Sequence, residues 1–128
     1  MQKKKVLIVE DELDILEVMC KMCEIKNCLV FKATNAQDAW QIFQREKPDA
    51  VSIDILLAPS EFDGLELLRK IREIDKSILC VLVTRIDEKE KIEEAKKLGA
   101  DSIFIKPLQI EELDKLVQQL VTGKINNN

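Results

Sequence analysis

The chain has 128 residues, and at roughly 150 residues per domain this leaves room for one domain and excludes a multidomain enzyme. With 46% hydrophobic and 34% charged residues and only three glycines and three prolines, the composition is that of a globular protein, not a disordered or fibrous one. The net charge of −4, the 4% aromatic content and the lack of tyrosine argue against a surface built to neutralise a nucleic-acid backbone or to stack on bases.

Residues 6–9, Val-Leu-Ile-Val, read as a first strand. Residues 14–25 then place Ile15, Val18, Met19, Met22 and Ile25 at spacings of three and four, the pattern of one buried helical face. A second strand is predicted over 29–33, and a short helix over 36–43 carries Ala39, Trp40 and Phe43. Pro48 and Asp49 punctuate the approach to a third strand over 50–53. After an irregular stretch, 56–63, Gly64 opens a helix with Leu65, Leu68 and Ile71 on one side and Leu67 and Ile74 beside them. Residues 78–83 are the most continuous strand pattern. Asp87 is the expected N-cap of a helix through Leu98, with Ile92, Ala95 and Leu98 apolar and Gly99 in the C′ position that favours positive φ. Residues 102–105 supply a fifth strand, and a final helix over 110–121 keeps Ile110, Leu113, Leu116, Val117 and Leu120 on one face before Gly123. Residues 1–122 are expected to form the domain and 123–128 a polar tail or linker stub.

Short apolar strands that alternate with helices predict a parallel sheet covered on both faces, because parallel strands need a crossover and the usual crossover is a helix. The fold class expected is doubly wound α/β, with five strands and five helices. A chain of this size buries roughly 65–68% of its unfolded surface and needs no disulfide or structural metal. Neither a signal-peptide core nor a run of roughly 20 apolar residues is present in the sequence, so a cytoplasmic location is expected, with Cys20, Cys23, Cys28 and Cys80 reduced. Cys20 and Cys23 fall within a helical stripe and Cys80 within a core strand, which favours buried, inert thiols over a metal or redox pair. Trp40 reads as packing, and 3–5, three lysines, as a solubilising strand flank. The charged helix near 88–97 fits either a solvated face or a partner surface.

In doubly wound sheets ligands bind beyond the carboxyl ends of the strands. Those ends carry Glu10-Asp11, Asp54, Thr84 and Lys106-Pro107. Histidine is absent, which removes Ser–His and Cys–His catalysis and every imidazole metal site. Three converging carboxylates repel one another unless a cation sits among them, and hard oxygen ligands suit Mg²⁺. One lysine and one hydroxyl are then natural partners for an anion carried on a carboxylate. This set fits phosphoryl transfer, where catalysis is mostly positioning and charge neutralisation, with Asp54 as the candidate nucleophile.

From about Lys5 to Val121 the chain resembles the receiver domain of two-component response regulators. The resemblance lies in Val6-Leu7-Ile8-Val9-Glu10-Asp11-Glu12, in Asp54 with Asp63-Gly64, in Val81-Leu82-Val83-Thr84 and in Lys106-Pro107. It implies a flavodoxin-like strand order of 2-1-3-4-5. It also implies that Asp54 accepts a phosphoryl group from a phosphohistidine on a sensor histidine kinase or phosphotransfer protein. Mg²⁺ would be held by Asp11, Asp54 and the Leu56 backbone carbonyl, with Glu10 acting through bound water. Lys106 would pair with the phosphoryl oxygens, Thr84 would move to hydrogen-bond one of them, and a cis peptide would precede Pro107. The fourth helix, fifth strand and fifth helix would form the output face for a downstream protein or a second copy, with no direct nucleic-acid or membrane contact.

Several positions depart from that pattern. Eight residues, 55–62, separate Asp54 from Asp63, two more than is common in the family. Glu10 replaces the commoner Asp, Arg85 follows Thr84 where a small residue is usual, and Ile103 stands where an aromatic switch residue is often found. Leu56 and Ile86, two positions past Asp54 and Thr84, are apolar and unable to orient an attacking water, which predicts slow loss of the phosphoryl group. The alternative function is a phosphate-independent interaction module of the same fold. Glycine stands only at 64, 99 and 123, so neither GxGxxG nor a P-loop can form, and Asp54-Ile55-Leu56 lacks the second carboxylate expected of an Asp-based phosphatase.

Overall fold

The computed structural model describes residues 2–57, 63–85 and 87–125. The long-loop residues 58–62 and Ile86, both singled out in the sequence, lie outside the described residues. Strands and helices alternate as β1 (Lys5–Val9), α1 (Leu13–Ile25), β2 (Leu29–Ala33), α2 (Ala36–Glu46), β3 (Ala50–Asp54), α3 (Gly64–Ile74), β4 (Leu79–Arg85), α4 (Lys89–Leu98), β5 (Ser102–Lys106) and α5 (Ile110–Thr122). The five strands form one parallel sheet in the order β2-β1-β3-β4-β5. That is the doubly wound arrangement expected. Chain direction across the sheet reverses between β1 and β3, so a crevice opens past Val9 and Asp54.

The central strands β1, β3 and β4 are buried on both faces, which is why they read as near-continuous apolar runs. Leu7, Val9, Val51, Ile53, Cys80 and Leu82 pack on α2, α3 and α4, with Ala39, Phe43, Leu68, Ile71 and Ala95. Val6, Ile8, Ala50, Val81 and Val83 pack on α1 and α5, with Leu16, Met19, Cys23, Leu116, Val117 and Leu120. All four cysteines are free and buried. Burial pushes the Cys20 thiol up to about 11 and those of Cys23 and Cys80 up to about 12, which is the inert character expected. Trp40 packs at the rim, stacked on Phe43 with ring centroids 5.8 Å apart and with Lys70 Nζ 5.4 Å above its ring.

The structure corrects four readings. The sheet-facing stripe of α1 is Leu16, Met19, Cys20 and Cys23; of the predicted Ile15, Val18, Met19, Met22 and Ile25, Met19 alone belongs to it. Of the rest, Ile15 and Met22 are half-buried, while Val18 is 47% and Ile25 84% exposed. Helix α1 carries two adjoining apolar stripes, and the pattern alone does not say which one meets the sheet. Ile110, assigned to the buried face of α5, is 72% exposed because it occupies the first turn. The N-cap of α4 is Glu88, not Asp87, and Asp87 instead pairs with Arg85 at 3.3 Å. Helix α2 also runs three residues past the predicted end, through polar residues with no apolar rhythm to reveal them.

Helix ends fix the connections. Asn35 accepts a hydrogen bond from Asp38 N, and Asp63 one from Glu66 N, each satisfying an orphan amide of a first turn. Helix α1 closes in a Schellman motif: Cys28 N donates to Cys23 O and Asn27 N to Glu24 O, with Asn27 at φ 70°. The predicted Gly99 closes α4 at φ 100° and Gly123 closes α5 at φ 72°.

Candidate functional site

Each candidate side chain reaches the crevice from the end of a strand. Asp54 is the last residue of β3 and aligns with Val83 of β4, while Lys106, the last of β5, aligns with Arg85. Val83 faces α1 and α5, and side chains at paired positions of parallel strands share a face, so Asp54 and Lys106 meet on that side. Glu10 continues the line of β1, its backbone N–H donating to Ala33 O at 3.0 Å.

The result is a buried ion cluster. Lys106 Nζ donates to Asp54 Oδ2 at 2.9 Å, to Glu12 Oε1 at 2.9 Å and to Glu10, whose two oxygens lie at 3.1 and 3.2 Å. Leu56 N donates to Asp54 Oδ1 and Glu12 N to Glu10 Oε2, each at 3.0 Å. Both oxygens of Asp54 are therefore oriented, and the residue is 4% exposed. The peptide bond between Lys106 and Pro107 is cis, as the sequence resemblance implies. Thr84 is buried at the end of β4, and its Oγ1 finds no hydrogen-bond partner among the described residues.

The electrostatics reveal too little positive charge. Burial, then the neighbouring Asp54 charge, pushes the Glu10 carboxyl up to about 7 against the opposing pull of Glu12 N–H and Lys106. Lys106 is held above the ordinary lysine range: burial works against its charge, but hydrogen bonds to Glu12 and Asp54 and the charges of Asp54 and Glu10 outweigh it. Glu10, Asp11 and Asp54 can bring carboxylate oxygens within 4.8 Å of one another. An all-oxygen, carboxylate-rich group with one lysine to balance it suits a hard divalent cation, so the residues present fit a metal such as Mg²⁺.

All six sequence-predicted positions, Glu10, Asp11, Asp54, Leu56, Thr84 and Lys106, stand at this one edge. Leu56 takes part through its backbone N–H, and Ile103 is a half-buried member of the α3/α4 side of the core. Sequence reasoning gave Glu12 no separate role, yet it is the third carboxylate on Lys106. The available clue was a glutamate at the start of a helix, where Ser, Thr, Asp or Asn is the usual cap.

A groove of about 700 Å³ adjoins the cluster between α1 and the β5–α5 connection, with Ile15, Val18, Pro107, Leu108 and Leu113 on its walls and Glu12, Arg85 and Asp87 at its rim.

Comparison with known proteins agrees with this geometry. The family model described as response regulator receiver domain matches residues 6–118. Sporulation initiation phosphotransferase F of Bacillus subtilis is 32% identical over 126 residues, covering 98% of this chain and all of that protein. A probable transcriptional regulator, ycf27 of Porphyridium aerugineum, is 27% identical over 132 residues, and the chain spans 54% of its length. Among solved structures, a CheY-like receiver domain protein from Methanospirillum hungatei superposes with a TM-score of 0.79 at 23% identity, covering 96% of this chain and all of that one; at that identity the likeness is one of fold.

Proposed function

Because the chain belongs to the response regulator receiver family, the phosphorylation switches of two-component signalling, we propose that Asp54 is its phosphoacceptor. The phosphoryl group comes from a histidine of a sensor kinase or phosphotransfer protein. The observation that carries this reading is the buried Asp54 carboxylate, with one oxygen held by Leu56 N–H and the other by Lys106, beside Glu10 and Asp11.

An Asp54 oxygen donates an electron pair to phosphorus, the new O–P bond forms as the P–N bond of the phosphohistidine breaks, and that bond's electron pair returns to the ring nitrogen. Lys106 neutralises charge on the phosphoryl oxygens, and the unpartnered Thr84 hydroxyl donates to one of them. Asp11, Asp54 and the Leu56 carbonyl would hold Mg²⁺, with Glu10 behind bound water, and the ion when bound supplies further neutralisation of the transferring group. The side chains of Leu56 and Ile86 offer no acceptor to orient a hydrolytic water, so the chain is a switch that loses its phosphoryl group slowly and not a phosphatase. The apolar groove beside Lys106 receives the histidine-bearing partner, and the α4-β5-α5 face is read by a downstream protein or a second copy. Residues 1–122 constitute this switch and 123–128 a polar tail or linker stub. Among the described residues no helix is long and apolar enough to cross a membrane; the switch is proposed to act in the cytoplasm, where the histidine kinases of two-component systems present their phosphohistidine.

Intact-mass spectrometry after incubation with acetyl phosphate, with and without Mg²⁺, tests the reading. One Mg²⁺-dependent phosphoryl adduct is expected, absent in Asp54→Ala and surviving well beyond seconds. A folded protein that takes no adduct and binds neither Mg²⁺ nor beryllofluoride would instead be a phosphate-independent interaction module.

A further inference from the structure

We propose that Glu12 is a positioning residue that occupies Lys106 in the resting state and sets the affinity of the site for a phosphoryl group; this rests on Lys106 being the cation of that site. A lysine ammonium has three donors, and in the structure all three are spent on carboxylates: Asp54, Glu10 and Glu12. A phosphoryl oxygen can reach Lys106 only if one of these bonds is given up.

The three are not equivalent. The Asp54 and Glu10 side chains are 4% and 3% exposed, and each also accepts a backbone N–H, from Leu56 and Glu12 respectively. The Glu12 side chain is 59% exposed, and among the described residues Lys106 is the one hydrogen-bond donor to its carboxylate. Glu12 returns to water at the least cost, so it is the partner that yields.

Its place in the chain supports the same role. Glu12 is the N-cap residue of α1 but makes no capping bond; its side chain instead reaches a lysine 94 residues away. An aspartate there keeps the charge but has one methylene less of reach, and at an N-cap it turns its carboxylate to the first-turn amides.

The test is the affinity of wild type, Glu12→Gln and Glu12→Asp for beryllofluoride in saturating Mg²⁺, by titration calorimetry at two salt concentrations. Both variants are expected to bind about two- to fivefold more tightly, the span of a mostly exposed ion pair, with the gap from wild type shrinking in high salt. Loosened packing would give no such salt dependence, and Glu12→Asp, with a good cap, retains the fold. If Glu12→Asp binds like wild type while Glu12→Gln binds tighter, the effect is one of charge alone and the positioning role is overturned. It is equally overturned if both variants match wild type or if the gap persists in high salt. A wild type that binds no beryllofluoride at all removes the phosphoacceptor reading together with this one.

Discussion

Thr84 buries a hydroxyl at the end of β4 that no described residue satisfies. Leaving such a group without a partner costs about 1–3 kcal/mol, and valine offers nearly the same shape without the hydroxyl. Thr84→Val is therefore expected to raise unfolding stability by about 1 kcal/mol, read as a higher urea midpoint at unchanged slope. The same change removes a donor to a charged group, worth about 1.5–3 kcal/mol, so beryllofluoride binding should weaken about tenfold or more. A variant less stable than wild type would mean the hydroxyl is satisfied in the resting fold and is no reserve for a ligand. At this scale the sequence was partly legible. Glu10, Asp11, Asp54 and Lys106 stand at strand ends, where the topology alone brings side chains together. The unsatisfied state of Thr84 and the reach of Glu12 depend on side-chain rotamers and on what surrounds them, which no spacing encodes.

The joint between β3 and α3 shows how closely an element can be tied to the site. Gly64 begins α3, and a Cβ there would collide with the Asp54 carbonyl oxygen and lie 2.9 Å from Ile55 Cα. Both are backbone atoms that cannot swing aside, so the helix or the end of β3 would have to move. Gly64→Ala is expected to cost about 1–3 kcal/mol as overpacking, against a helix-propensity gain of about 1 kcal/mol at most. The displaced Asp54 should also weaken Mg²⁺ binding. Denaturant unfolding and a Mg²⁺ titration of the variant check both, and an alanine that is neutral or stabilising would contradict the close approach. The elements themselves are legible where the sequence marks their ends: β2 matches its predicted bounds and α3 opens at Gly64 as expected. They were misread where burial is silent or doubled, at the polar last turn of α2 and on α1, where two apolar stripes compete for the sheet.

Across the whole molecule, exposed apolar surface is unevenly spread. Among the described residues the large exposed apolar side chains are Leu13, Val18, Ile25, Leu29, Ile74, Ile110 and Ile125, and none belongs to α4 or β5. Val18 lines the groove beside Lys106, Leu13 follows Glu12 into α1, and Ile110 opens α5 just past Leu108. The face of α4, with Lys89, Glu90, Glu93, Glu94 and Lys97 together, is instead charged. Apolar contact should therefore dominate where a partner must approach Asp54, and salt-sensitive contact should dominate on the α4 side. Val18→Lys separates docking from chemistry. The site is 47% exposed, lysine is a better helix former than valine, and Asp14 stands one turn earlier, so stability should change by no more than about 0.5 kcal/mol. Acetyl phosphate is too small to use the groove and should phosphorylate the variant at the wild-type rate. Transfer from a phosphohistidine protein should slow about tenfold, since a charge buried against an apolar partner surface costs more than the contact it replaces. Equal slowing with both donors would place the defect at Asp54 itself, and no slowing with either would mean that the partner docks elsewhere.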